Sequence, residues 1–373
     1  MQKYTTSIEV DLDAIAHNVR AVQERVAPAQ VMAVVKANAY GHGASEVART
    51  ALDAGATWLG VARVIEGAQL REAGITAPIL VMSYALPTEM QAAVVYDLTM
   101  TLTELEPAQA LSAAADQLHR TMNVHVKVDT GMGRAGLLPD EIVPFLNTLR
   151  TLPRLSIQGV YTHFATADDP DPAYTQYQFE VFKQVLSDVE AADFNIPIYH
   201  AANSAAIMYH PETHLDMVRV GIAMYGLRPN AALKPAFEIR PALTLKSHVA
   251  RAKWLPAGSS LGYGRTFVTQ RDSHIALVPV GYGDGYHRLN TNRGMVLVNG
   301  KRVPITGRIS MDQLIVDVSG AGEVHVGDEV VLVGRQGKER ITAEEVAQWA
   351  ETINYEVTTS LLARVPRFYL KNP

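Results

Sequence analysis

The sequence contains no cysteine. Disulfide frameworks, thiolate zinc sites, iron–sulfur clusters and cysteine nucleophiles are therefore excluded. No apolar run approaches the about eighteen uninterrupted residues of a membrane-spanning helix. The opening Met1-Gln2-Lys3-Tyr4-Thr5 has no apolar signal-peptide core. Neither sign of charge dominates: 33 basic against 38 acidic residues leave a net charge of −5, spread without long runs. This composition argues against nucleic acid or membrane as the main partner and predicts a cytoplasmic protein. There is also no internal repeat and no low-complexity segment.

What is present is length and apolar material. With 373 residues, 48% of them hydrophobic, the chain has enough for two cores. From Leu12 to Pro229, short apolar runs alternate with amphipathic stretches. The runs are Val31–Val35, Trp58–Ala62, Ile79–Met82, Leu98–Leu102, Val124–Val128, Ile157–Tyr161, Ile198–Ala201 and Met217–Val220. Between them lie helix-like segments such as Ala44–Ala54, Ile65–Ala73, Glu104–Leu118 and Ala173–Ala191. Eight strands alternating with helices predict an α/β barrel of the TIM-like (β/α)8 kind over 12–235. A doubly wound open sheet has the same periodicity and remains the competitor.

The pattern changes after Arg240. Leu243–Leu255, Ile275–Val280, Met295–Val298, Leu314–Val318 and Val330–Val333 are β-rich and separated by turn signals such as Asn299-Gly300. One helix is expected at Thr342–Glu351, where Thr342 and Glu345 have capping-box spacing. A C-terminal mainly β domain is predicted over 236–373, and the N-terminal strand within 1–11 can join either domain.

Several motifs match chemistry only on paper. Gly131-Met132-Gly133-Arg134-Ala135-Gly136 fits the dinucleotide fingerprint, but Leu137-Leu138-Pro139 delays the helix that the fingerprint requires. Gly258-Ser259-Ser260-Leu261-Gly262 fits the nucleophile elbow but lies in β-rich sequence. His210 and His214 have the spacing of a metal pair, yet Pro211 interrupts them and no carboxylate completes a site, so exposed loop residues are expected. The acidic stretch Asp168–Pro172 lacks EF-hand spacing and reads as a solvated loop. No metal site is predicted.

Lys36 ends the first apolar run, in Val34-Val35-Lys36-Ala37-Asn38-Ala39-Tyr40-Gly41-His42-Gly43. Taken alone, a strand-end lysine reaches solvent more often than it reacts. The whole segment, however, resembles the cofactor-attachment signature of alanine racemases. Further motifs of that family follow in order: Lys127–Arg134, His200–Ser204, Arg219-Val220-Gly221, Gly262-Tyr263-Gly264, Gly281–Gly285 and Gly307–Asp312. The resemblance spans essentially the entire chain. It implies a pyridoxal-phosphate barrel with a C-terminal β domain, assembled as a homodimer with shared sites.

By that resemblance, the enzyme interconverts L- and D-alanine on pyridoxal 5'-phosphate, whose conjugated ring is the electron sink. Lys36 holds the cofactor as a Schiff base and serves the D-side proton. Burial, or a neighbouring cation, would lower its pKa and improve it as a base. Proton transfer on both faces of a planar carbon needs a second group, matched here by Tyr263 of the partner subunit on the L side. An unperturbed phenol, titrating at about 10, is a poor base at neutral pH. The resemblance therefore implies support from His163, Arg219 and His200. Arg219 faces the pyridine nitrogen and, as a permanent cation, cannot protonate it. Phosphate ligands are Tyr40, Ser204, the Gly221 and Ile222 amides and Tyr355. Arg134 binds the cofactor phenolate or the substrate carboxylate, with the Met311 amide of the partner subunit assisting. Tyr282 and Asp312 line the entrance, and Lys127 matches a lysine carbamylated in several relatives.

Gly283, where alanine is frequent, and Tyr286, where tryptophan is frequent, depart from the commonest pattern and are expected to widen the entrance. The alternatives are a serine or broader-specificity racemase, a fold-type III decarboxylase and a non-catalytic cofactor carrier. The decarboxylases use a cysteine that is missing here, and the carriers are about as long as the barrel alone. D-alanine for peptidoglycan is the implied product, and a catabolic role would read the same.

Overall fold

Alternating burial along β1 (Thr6–Asp11), with Thr6, Ile8 and Val10 inward, marks a strand with one covered face. In this computed structural model residues 4–230 and 232–371 are described. Met1, Gln2 and Lys3, part of the stretch read as lacking a signal peptide, lie outside the described residues, as do Ala231 and the last two residues of the 236–373 region.

Eight parallel strands form one sheet: β2 (Gln30–Val34), β3 (Trp58–Val61), β4 (Ile79–Val81), β5 (Thr99–Leu102), β6 (Met122–Lys127), β7 (Leu155–Tyr161), β8 (Ile198–His200) and β9 (Met217–Val220). Most of their residues are buried on both faces, as parallel strands covered by helices must be. Neighbours follow chain order from β2 to β8, and β9 returns to pair with β2, placing Arg219 opposite Met32. That return makes the sheet a barrel and removes the doubly wound alternative. Between β8 and β9 no ladder forms. There the amides of Asp216 and Arg219 reach the Tyr199 and Ala202 carbonyls at 3.2 and 3.0 Å, and the Asp216 carboxylate accepts the Tyr199 N–H at 2.8 Å. Met32, Trp58, Leu80, Ile198 and Met217 pack together inside. Helices such as Ala44–Asp53, Val64–Glu72, Leu105–Gln117 and Ala173–Ala191 separate the strands.

The remaining strands are β10 (Leu243–His248), β11 (Arg251–Leu255), β12 (Ser260–Leu261), β13 (Phe267–Val268), β14 (Ser273–Val278), β15 (Met295–Val298), β16 (Lys301–Pro304), β17 (Leu314–Asp317), β18 (Glu329–Gln336), β19 (Glu339–Ile341) and β20 (Arg367–Leu370). One sheet runs β16-β15-β18-β10-β1-β20 and a second runs β11-β14-β17. The β-rich run Leu243–Leu255 is thus two strands. The chain leaves the first sheet at Val249, whose N–H goes to Asp328, and enters the second at Ala250, bonded to Leu277. β1 pairs antiparallel with β10 and parallel with β20. The helix Ala343–Trp349 starts on the expected capping box, with Thr342 Oγ1 accepting from Glu345 N at 3.1 Å and Glu345 returning the bond at 2.9 Å.

By their internal contacts the residues divide into a barrel unit, Ala14–Ala39 with Ala44–Arg240, and a β unit that gathers the chain up to Asp13, Tyr40–Gly43 and everything from Pro241 on.

Candidate active site

The chemistry of the barrel unit stands at the C-terminal strand ends, where barrels of this kind carry their sites. Lys36 follows β2 and is half-buried. Burial lowers its pKa, the charge of Arg134 lowers it further, and Glu66 opposes them. Immediately after Lys36 the backbone turns left-handed. Ala37, Asn38, Ala39 and Tyr40 all have φ between 51° and 53°, a conformation that non-glycine residues rarely adopt even singly. Glu66 holds the start of this turn. Its Oε1 accepts from Ala37 N–H at 2.7 Å, and its Oε2 accepts from Ala62 and Arg63 at 2.7 and 3.1 Å.

Lys127, at the end of β6, is buried. Burial, followed by the charges of Arg134 and Arg219, lowers its pKa to about 8 against the pull of Asp129. The following loop carries Arg134 and is tied by Asp129. Oδ1 of that residue accepts from the amides of Gly131, Met132 and Gly133 at 2.9, 2.8 and 3.1 Å. The chain then doubles back, with Leu137 bonded to Lys127 and Asp129. A Cβ at Gly136 would lie 2.6 Å from Asp129 N, so this glycine serves the fold-back and opens no helix. Arg134 is exposed on the loop.

Arg219 is the most buried charge here, at 3% exposure. Its Nη1 donates to His200 Nδ1 at 2.8 Å and to the His200 carbonyl at 3.1 Å. Its Nη2 donates to the Thr162 and Ala201 carbonyls at 2.7 and 2.8 Å and lies 3.3 Å from His163 Nδ1. Burial lowers its pKa to about 10, opposed by Tyr161. Among the described ion pairs none involves Arg219. Its hydrogens go to backbone carbonyls and an imidazole nitrogen rather than to a carboxylate. His163 and His200 are both held well below the usual imidazole range, first by burial and then by the charge of Arg219. Both therefore stay neutral.

Ser204 opens the helix Ser204–Tyr209, which Asn203 caps by accepting from Ala205 and Ala206. Its buried hydroxyl accepts from the amides of Gly221 at 2.9 Å and Ala223 at 3.3 Å. Ile222 follows as the start of a 3-10 turn. Ser204 and the Gly221 amide are thus gathered at one helix start.

The β unit gathers the other predicted residues into two groups. Tyr40 is buried, and its ring lies 6.2 Å from that of Tyr355. Burial raises its pKa. The pairing depends on Gly41, where a Cβ would stand 2.0 Å from the Thr358 carbonyl oxygen. Tyr263 is 72% exposed, on a turn whose Gly262 and Gly264 have φ of 66° and 68°. Tyr282 and Met311 are also exposed, and their loops are stitched by Tyr282 N–H to Ser310 O and Gly283 N–H to Met311 O at 3.2 and 2.7 Å. Asp312 pairs with Arg364, which also holds Asp284, both at 2.7 Å.

Two expectations change. His210 is buried, and His214 is half-buried with Nε2 3.3 Å from the Ile207 carbonyl; neither is an exposed loop residue. Tyr286 is buried with its phenol pKa raised by that burial, so it acts on packing and lines no entrance. Ser260 and Leu261 pair with Val268 and Phe267 in a hairpin, which accounts for the elbow-like motif.

The sequence reading missed Tyr161, His125 and Glu66. Tyr161 is buried, stacks on His200 at 4.5 Å, and lies under Arg219 and Lys127 at 5.2 and 5.9 Å. A signal was available in the two-residue period of the strands. His125 and Lys127 alternate along β6, as Gly159, Tyr161 and His163 do along and beyond β7.

Residues 10–229 match the alanine racemase N-terminal domain and 242–369 the alanine racemase C-terminal domain. The chain is 49% identical to the alanine racemase of Symbiobacterium thermophilum, over 98% of this chain and 97% of that one. The alanine racemase from Bacillus anthracis with bound L-Ala-P superposes with a TM-score of 0.95 at 42% identity, covering 100% of this chain and 97% of that one. The histidine racemase from Leuconostoc mesenteroides subsp. sake superposes at 0.92 with 29% identity, covering 100% and 99%. Fold and relatives together define an isomerase that racemises an amino acid. The chain belongs to the alanine racemase family.

Proposed function

We propose that the protein interconverts L- and D-alanine on pyridoxal 5'-phosphate by two-base proton transfer. The observation carrying this reading is the buried, carboxylate-free Arg219 held between two neutral imidazoles, in the same unit as a half-buried lysine of lowered pKa. The residues fit the cofactor: Lys36 to hold its carbonyl carbon, Arg219 to donate to its ring nitrogen, and Ser204 with the Gly221 and Ile222 amides to hold its phosphate. By resemblance to the family, the Tyr40 and Tyr355 hydroxyls are further phosphate ligands. When bound, the cofactor supplies a conjugated sink for the electrons left when the α-proton departs.

The remaining chemistry belongs to the chain. A lysine whose charged form is disfavoured is a free amine more of the time, so Lys36 Nζ can take or return the α-proton on the D side. Tyr263 of the partner subunit serves the L side. His163, held neutral with its Nδ1 3.3 Å from Arg219 Nη2, is the group that supports a Tyr263 phenolate. Arg134 binds the cofactor phenolate or the substrate carboxylate, with the Met311 amide of the partner subunit assisting, while Tyr282 and Asp312 limit substrate size. Lys127, with a pKa near 8, is uncharged often enough to react with carbon dioxide as a carbamate beside Arg134. The functional form is a homodimer in the cytoplasm, making D-alanine for peptidoglycan.

A racemisation panel tests this reading, with both enantiomers of alanine, serine and histidine. Alanine should turn over fastest from both sides. Preference for histidine would move the protein toward the Leuconostoc enzyme, serine preference toward a serine racemase, and release of carbon dioxide toward a decarboxylase.

A further inference from the structure

The hydrogen bonds of Arg219 continue past the residues assigned above. A guanidinium has only donors, so Arg219 Nη1, 2.8 Å from His200 Nδ1, gives that nitrogen a hydrogen. His200 must then carry its own hydrogen on Nε2. That hydrogen points at His125 Nδ1, 2.9 Å away, so His125 also carries its hydrogen on Nε2. Both rings are fully buried. Burial holds His200 well below the imidazole range and His125 at about 3, so neither takes a second proton near neutrality.

Beyond His125 stands Gln158. Its Oε1 and His125 Nε2 are both shut off from solvent and neither makes a hydrogen bond in this structure, while the amide is close enough to act on the imidazole. The backbone is shaped for this meeting. β6 pairs Val124 with Ile157 but His125 with Gly159, leaving Gln158 as the extra residue of a bulge. A bulge re-aims a side chain that strict alternation would send to the other face. At Gly159 a Cβ would stand 2.5 Å from His125 Nδ1, so glycine leaves the ring its room. Trp58 packs against the same ring at 5.5 Å.

We infer that Gln158 and His125 are positioning residues for Arg219, acting through a one-way file of hydrogen bonds from Arg219 to His200 to His125, whose remaining N–H is left to the Gln158 amide. The file fixes both tautomers and, through them, the plane of the guanidinium. Its direction follows from arginine chemistry alone; its effect on catalysis rests on Arg219 facing the cofactor nitrogen.

Long-range nitrogen-15 spectra of the full-length, cofactor-loaded protein with labelled histidine test the file, assigned from the signals lost in His125→Gln and His200→Gln. Both histidines should read as neutral Nε2–H forms between about pH 6 and about pH 8. An Nδ1–H form or an imidazolium at either position overturns the inference. Gln158→Glu places a carboxylate beside His125 Nε2, favouring hydrogens on both nitrogens of that ring. His125 then donates to His200 Nε2, and the His200 hydrogen moves to Nδ1, against Arg219. The expected result is that tautomer shift, with kcat reduced about tenfold and KM little changed. Gln158→Leu removes the acceptor without reversing the file and should keep the parent tautomers. A Gln158→Glu protein with His200 still Nε2–H and parent kcat overturns the inference. If His200 shifts while the kinetic constants stay put, the file stands and the placement of Arg219 on the cofactor falls. Should a variant fail to fold, the parent tautomers decide.

Discussion

The Glu66 carboxylate accepts the Ala37 N–H at 2.7 Å, one residue beyond Lys36. That bond pins the first residue of a left-handed turn carrying four side chains. Each such residue costs roughly 1–2 kcal/mol against the right-handed form, so the turn persists only where its surroundings hold it.

Glu66→Gln keeps the shape but leaves only one acceptor oxygen for three N–H groups. The expected loss is about 1–3 kcal/mol in denaturant unfolding. Attachment of added pyridoxal phosphate at Lys36, followed by visible absorption, should slow as well. Parent-like unfolding and attachment would show that Glu66 does not hold the turn.

The two proposed bases separate cleanly by substitution. Lys36→Ala should lose both the lysine-bound cofactor spectrum and racemisation. Tyr263→Phe should keep the spectrum and lose racemisation by at least about a hundredfold. In deuterated water it should still exchange the α-hydrogen of D-alanine, on the side proposed for Lys36. Full-rate racemisation by Tyr263→Phe would end the two-base assignment.

Buried neutral histidines make the fold sensitive to acid. His125, His163 and His200 all have folded-state pKa values below the unfolded value, His125 at about 3. Between about pH 6.5 and the folded pKa the unfolded chain binds the extra proton, so their contribution is complete above that range and is lost as pH falls through it. Each histidine should add a slope of roughly 1 kcal/mol per pH unit to the unfolding free energy. His125→Gln should remove one proton's worth of that slope between pH values of about 4 and about 6. An unchanged slope would show that the His125 ring charges without unfolding.

Gly159→Ala places a methyl 2.5 Å from the His125 ring. The backbone itself tolerates alanine there, so any cost comes from the clash. Overpacking of this kind costs about 1–3 kcal/mol, read as a lower denaturation midpoint. The double variant His125→Ala with Gly159→Ala should recover part of the loss contributed by Gly159→Ala. Strict additivity would place the strain elsewhere.

Much of the barrel was legible because its strands are continuous apolar runs. Met217–Val220 and Ala173–Ala191 have the same limits in sequence and structure. Closure was not legible, since nothing in β9 itself says that its neighbour is β2. Within Leu243–Leu255 the division into two strands was not legible, because a strand leaving one sheet for another shows no break in its apolar pattern. Lys36 and Arg219 emerged from their motifs. His125 and Gln158 were silent, because a bulge that turns a glutamine inward breaks the alternation a reader would use to find it. His210 was misjudged for a related reason: a histidine beside a proline reads as loop, while burial depends on what folds over it.

The seam between β8 and β9 gives Arg219 a second duty. Without a strand ladder there, the guanidinium's bonds to the His200 and Ala201 carbonyls are part of what closes the barrel. Charge and closure are therefore one inheritance at this position. Replacing Arg219 to ask a question about electrons also loosens a stave of the barrel, and the two answers part only when melting is measured beside turnover.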